Sequence, residues 1–366
     1  MGQPGGKKVR KSGIELLRII LMLQVIFLHV CTKGKYSSFA RGHLGEWHEL
    51  FYWCVWLMCR CPVYLYMLIS GYFSVTSNKT WGDIKRKVLV SHRSMLFYSI
   101  GLPLLGVAAG WWVLTSVDVV RMLLPTISRE WYFMTLYLIV LFLSPYLNRC
   151  LVALKKSEFQ ALIAFLMVIL SILPMMSRMD LFSSVVNIEQ VVSPDGGKGL
   201  YGFVFMYIIG AYIRLHVKSH ERAQLRYLAA FFGLTAVNVF LLYNVPGYRS
   251  TVGTFDNFFI ILQGICLFLF FRDMQFQSVI INRIAALNLG VYMIHEHIKF
   301  RAVLWNKWLP LTQQKSFYMT WKYPIKIFLI CVVIFSGCAV VEQIRLWIFA
   351  WCNQVVQKHK TVKSKQ

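Results

Sequence analysis

Ten apolar runs, each close to the roughly 20 residues that a helix needs to cross a bilayer, occupy most of this chain. They cover residues 14–32, 51–73, 88–110, 131–149, 159–176, 200–216, 226–243, 254–272, 283–304 and 326–349. Hydrocarbon offers no water to satisfy backbone N–H and C=O groups, so segments of this kind must be helical. The expected fold is an all-α integral membrane protein with about ten transmembrane helices. It forms a single polytopic body over residues 1–366, with short basic tails at 1–13 and 352–366. Composition points the same way: 15% of residues are charged, against about 25% in a soluble domain. The same figures exclude disorder and a small disulfide-stapled fold. The first run is not read as a cleavable signal, since it carries Glu15, Arg18 and His29 and no small-residue cleavage site follows. No internal repeat and no soluble domain is evident. Nine cysteines lie mainly within apolar stretches, without zinc spacing, and read as small core residues.

Lysine and arginine outnumber acids 39 to 15, giving a formal net charge of +24. In a soluble protein this would suggest nucleic acid. Here the cations fill short gaps between apolar runs, so the bilayer is the expected partner and nucleic acid is not. Lys7, Lys8, Arg10 and Lys11 precede the first run, and Lys79, Lys85, Arg86 and Lys87 follow the second. Arg149, Lys155 and Lys156, then Arg214, Lys218, Arg222 and Arg226, then Lys358 to Lys365, fall on the same side. The opposite loops hold most of the acids, the loop from Lys307 to Lys326 being the one exception. By the positive-inside rule both termini are expected in the cytoplasm.

A charge inside a span costs a few kcal/mol or more, so its default reading is function or a buried partner. Arg18 and His29 share the first span, eleven residues apart. That spacing is close to three helical turns, which puts both on nearly one face, roughly 16 Å apart along the axis at about 1.5 Å per residue. Arginine offers a forked donor array for phosphate or carboxylate, and histidine takes and returns a proton near neutral pH. The plainer alternatives are an Arg18 that snorkels to the headgroups and a His29 hydrogen-bonded to a neighbour at the helix end. Arg60 lies deep in the second span, followed by Pro62, which frees a backbone carbonyl, and by Ser70-Gly71-Tyr72. A kinked helix with Arg60 in an ion pair is the structural alternative. Lys85, Arg86, Lys87, His92 and Arg93 cluster where the chain re-enters the membrane. Arg129-Glu130-Trp131-Tyr132 opens the fourth run, and Gly290 to His297 places His295, Glu296 and His297 in the ninth. This is not the zinc-protease helix motif, whose two histidines stand four apart. The acids and histidines of the loop at His43, Glu46, His48 and Glu49 read as solvated groups. No metal is expected.

Taken together, these features resemble the membrane-bound acyltransferase 3 family. That family's first helix carries an Arg, ten intervening residues and a His, as Arg18 and His29 do here, with the acidic Glu15 before Leu-Leu-Arg. Its second-helix pattern is similar to Arg60 through Ser70-Gly71-Tyr72. Its Trp-Phe/Tyr element is similar to Trp131-Tyr132, and its late Gly-x-Tyr-Leu-Ile-His element to Gly290–His295, with Met293 in place of Leu. The family's frequent Arg-x-x-Arg element is incomplete: three positions after Arg86 stands Leu89, leaving Lys87 or Arg93 as substitutes.

The resemblance implies transfer of an acyl group, most often acetyl, from cytoplasmic acetyl-CoA or another acyl-CoA to a hydroxyl of a cell-surface or lipid-linked glycan, in a bacterial inner membrane. On that reading His29 is the general base or an acyl-carrying nucleophile, and Arg60 stabilises the oxyanion. Glu130 and His295 orient His29 or bind acceptor. The donor is bound by Arg18, Ser70, Gly71, Tyr72, Arg86 and Arg93, and Trp131 and Tyr132 stack on the sugar. The competing class is a non-enzymatic flippase or exporter of a glycan or lipid intermediate, for which buried Arg and His are equally suited.

Overall fold

The computed structural model describes residues 12–42, 44–77, 80–128 and 130–363. The amino-terminal cations Lys7 to Lys11, together with His43, Lys79, Arg129 and Lys365, lie outside the described residues. Among those described the chain is helical and contains no strand. Seven helical stretches among the described residues are long and apolar enough to cross a membrane. They are α1 (Ser12–Thr32), the broken pair α2 (Glu46–Met58) and α3 (Pro62–Ser74), α4 (Trp81–Ala108), α6 (Tyr132–Ala153), α7 (Lys156–Ser177), α9 (Gln224–Asn244) and α13 (Tyr323–Lys363). A short amphipathic helix, α5 (Ser116–Leu123), precedes α6. The chain is therefore a multi-pass membrane protein.

Three of the ten expected runs form shorter helices: α8 (Leu200–His216), α10 (Phe258–Arg272) and α11 (Val279–His295). Caps explain two of these. The Asn257 side chain accepts from the N–H groups of Phe259 and Ile260, which fixes the start of α10 and leaves residues 254–257 as loop. His297 accepts from the Phe300 N–H and so opens a separate helix, α12 (Ile298–Val303), splitting the run expected at 283–304.

The second span breaks where Pro62 requires it. Proline has no N–H to give the carbonyl four residues earlier, which is that of Met58. Gln24 of α1 donates to this carbonyl at 3.2 Å. The break thus becomes a junction between α1 and the α2–α3 pair, with Arg60 held in the gap. Replacing Gln24 with leucine should cost about 1 kcal/mol, the usual worth of one such hydrogen bond. Thermal unfolding in detergent measures it.

Helix α3 makes its most extensive contact with α8, through Gly71 on one side and Gly210 on the other. On the far side of the molecule from the start of α1, the loops 178–199 and 245–257 are locked together. The Arg178 guanidinium spans Asp256, at 2.7 Å, and Glu189, at 2.9 Å, while Ser193 donates to Asp256.

Candidate active site

A cavity of about 1070 Å³ runs through the bundle between α1, α3, α4, α6 and α11. It stands at the upper edge of the roughly 300–1,000 Å³ usual for ligand sites. Arg18, Ser70, Ser74 and Lys87 line one end. His29, Lys33, Arg60, Asp195 and Lys198 line the other. Between them the wall is apolar, with Met22, Val25, Val63 and Phe133 among its residues.

The position of Arg18 at its end is fixed from two sides. Its backbone carbonyl accepts from Tyr66 of α3 at 2.9 Å and from Asn288 of α11 at 2.7 Å. Its guanidinium holds both carboxylate oxygens of Glu15 at 3.0 Å, one turn earlier. The acid before Leu-Leu-Arg therefore orients the arginine along the cavity wall. A snorkelling side chain would need none of this.

His29 lies at the opposite end, with 19% of its side chain exposed. Its Nδ1 stands 3.1 Å from Oε2 of Glu296, and the other carboxylate oxygen of Glu296 accepts from Arg301 at 2.7 Å. The His295 ring lies 5.2 Å from that of His29. Nδ1 of His295 donates to the Val291 carbonyl at 2.5 Å, which leaves its Nε2 as a buried acceptor with no partner. Nδ1 of His29 faces the Glu296 carboxylate at ion-pair distance without making a hydrogen bond; a neutral His29 protonated there keeps a lone pair on Nε2, the form that a general base requires. Ligand atoms of His29, His295 and Glu296 also lie within 4.8 Å of one another, close enough to hold a metal. The Arg301 guanidinium already supplies the positive charge that Glu296 faces.

Glu296 had no role in the sequence reading, and the reason is local. An unbroken helix would scatter His295, Glu296 and His297 around its axis. Helix α11 ends at His295, and His297 takes an extended conformation as the cap of α12. Glu296 is thereby turned back toward α1. Two ties hold this corner. Glu130 accepts from the Ile298 N–H at 2.9 Å and faces His297 at 3.6 Å. Lys299 meets Asp118 of α5 at 2.8 Å, and that hydrogen bond, with the Thr115 N–H, holds the Asp118 carboxyl down to about 2. Glu130, expected to orient His29 or bind acceptor, instead supports the segment that carries Glu296.

Other expected residues also part company with the cavity. Trp131 is fully buried and donates to the Met293 carbonyl at 3.1 Å, so it clamps α6 to α11 and offers no face to a sugar. Its neighbour Tyr132 does line the cavity. Ser70 lines it, whereas Gly71 meets the backbone of α8 and Tyr72 packs on Phe268. Along α4 it is Lys87 that reaches the wall. Arg86 is turned outward with its side chain 80% exposed, 3.6 Å from Asp83, and Arg93 is exposed as well. Helical phase explains this: one residue is about 100° of rotation, so Arg86 and Lys87 cannot share a direction. Arg60 lines the cavity near the 245–257 loop, where it donates to the Gly253 carbonyl and lies 4.3 Å from the centre of the Phe255 ring.

Comparison with known proteins adds one match: the family model described as "Acyltransferase domain" fits residues 11–343. No curated protein and no solved structure matches the chain.

Proposed function

The chain belongs to the membrane acyltransferase 3 family, and from that premise we propose that it moves an acetyl group from acetyl-CoA to a hydroxyl of a cell-surface or lipid-linked glycan. The observation that carries this reading is the cavity itself, which has Arg18 and Lys87 at one end, a histidine–carboxylate pair among further cations at the other and an apolar passage between. Such a passage suits the extended, weakly polar pantetheine arm of coenzyme A. The phosphates of the donor would stay near Arg18 and Lys87, on the side that the basic loops assign to the cytoplasm. The membrane would be the inner membrane of a bacterium, crossed by all ten apolar segments, with both termini inside.

In the reaction, Nε2 of His29 takes the proton of the attacking sugar hydroxyl. The sugar oxygen bonds to the thioester carbonyl carbon and the carbon–sulfur bond breaks. The departing thiolate receives the same proton from His29, which returns to its neutral state. Glu296, facing Nδ1 at 3.1 Å, offsets the charge that the imidazole carries in the middle of the cycle. Arg301 holds the other carboxylate oxygen of Glu296, and His295 packs against the imidazole as a positioning residue.

Exchanging Glu296 for glutamine preserves shape and removes the charge. Turnover should fall on the order of 100-fold, within the range attributed to general-base catalysis, while the KM for acetyl-CoA stays within about twofold. Labelled acetyl-CoA supplied to inverted membrane vesicles is the direct test of the function. Label appearing on glycan supports transfer; passage of an unmodified glycan with no label would instead point to a flippase.

A further inference from the structure

Arg60 differs from every other deeply buried arginine among the described residues. Arg178, Arg272 and Arg345 have side chains no more than 11% exposed, and each holds a carboxylate: Asp256, Asp273 and Glu342 respectively. Arg60 is 7% exposed and has no acidic partner. One of its amino groups donates to the Gly253 carbonyl, and its guanidinium lies between the rings of Trp56, at 5.2 Å, and Phe255, at 4.3 Å. Its Nε is buried without any partner. Aromatic faces and one carbonyl only partly replace water around a cation.

The missing anion has a natural direction. Arg60 faces the cavity at the same end as Lys33 and Lys198, both exposed and neither within ion-pair distance of an acid among the described residues. Of the two acids lining this end, Glu296 is already matched by Arg301, which leaves Asp195 against three cations. In the proposed orientation the phosphates of the donor lie by Arg18 and Lys87 at the opposite end. A transient oxyanion would engage the guanidinium only in the instant of reaction, whereas an anion on the bound acceptor engages it throughout the complex.

Resting on the acyltransferase reading, we infer that the acceptor is an acidic sugar whose carboxylate or phosphate group docks on Arg60, with Lys198 beside it, while a neighbouring hydroxyl is presented to His29. A guanidinium fork is the donor array that pairs best with either group.

The test is a binding measurement on the purified full chain in detergent, following tryptophan fluorescence, to which Trp56 contributes. The probes are glucuronate, glucose 1-phosphate and glucose. At least one acidic probe should bind tenfold or more tightly than glucose, and whichever of the two binds more tightly names the group. Arg60→Leu should abolish the preference, Arg60→Lys should keep part of it, and Lys198→Ala should reduce it severalfold. The wild-type comparison stands even if Arg60→Leu fails to fold. Equal binding of acidic and neutral sugars, or no binding of the acids, overturns the inference, as does an Arg60→Lys variant with lowered kcat and unchanged acceptor KM. Failure here is separable from failure of the proposed function. A chain that labels glycan yet ignores charge rejects only the acidic acceptor. One that prefers acidic sugars yet never transfers label rejects the acyl transfer.

Discussion

Replacing His29 with alanine should abolish glycan acetylation while leaving the protein folded in the membrane. The expected loss is about 10²–10⁴-fold, the range for removing a positioned general base, and larger if the imidazole itself carries the acyl group. The fold should tolerate the change for reasons visible around the residue. His29 borders an open cavity, so its truncation enlarges existing space and leaves no sealed void. Glu296 is not orphaned either, because Arg301 still holds it at 2.7 Å. Size-exclusion chromatography of the variant reports folding, and labelled acetyl-CoA reports transfer. Acetylation at the wild-type rate would remove His29 from the reaction. A labelled protein that forms with wild-type chain but not with the variant, and that loses its label to acid or hydroxylamine, would replace proton transfer by an acyl-histidine.

How much of this site could be read from the sequence depended on whether its parts lie on one element. Arg18 and His29 belong to a single helix, and helical phase alone relates their faces. Glu296 lies 267 residues beyond His29 and comes to it only because α11 stops at His295. Hydrophobicity passes smoothly through that stop, since the determinant is a cap formed by the His297 side chain. The same blindness affected the helices. Asn257 shortens α10 by capping it inside an apolar run, and α10 is one of three apolar segments whose helices fall short of membrane length among the described residues. In the sequence Gln24 is one polar residue within the first apolar run. Its purpose appears only once Pro62 has freed the Met58 carbonyl on another helix. A cluster of basic residues carries no direction in the sequence: Lys87 lines the cavity and its neighbour Arg86 does not.

Gly71 shows how a residue within a family-like motif can be required by packing and not by chemistry. A methyl group on Gly71 would lie 2.0 Å from the Tyr207 carbonyl oxygen, and one on Gly210 would lie 2.0 Å from the carbonyl oxygen of Leu68. Both obstacles are backbone, so no side chain can swing aside. Close approach of this kind is how helices associate in lipid, where burying apolar surface gives little advantage. Gly71→Ala must therefore force α3 and α8 apart. That movement pulls on the Tyr64 hydroxyl, which donates to the Gly197 carbonyl at 2.7 Å, and on the wall of the cavity at Ser70. The expected cost is on the order of 3 kcal/mol, the upper part of the overpacking range. It should be read as a lower unfolding temperature in detergent and a reduced monodisperse fraction. Ser70→Ala, one position away on the cavity wall, should unfold at the wild-type temperature. A Gly71→Ala protein of normal stability with a raised KM for acetyl-CoA would reverse the assignment and return Gly71 to the donor site.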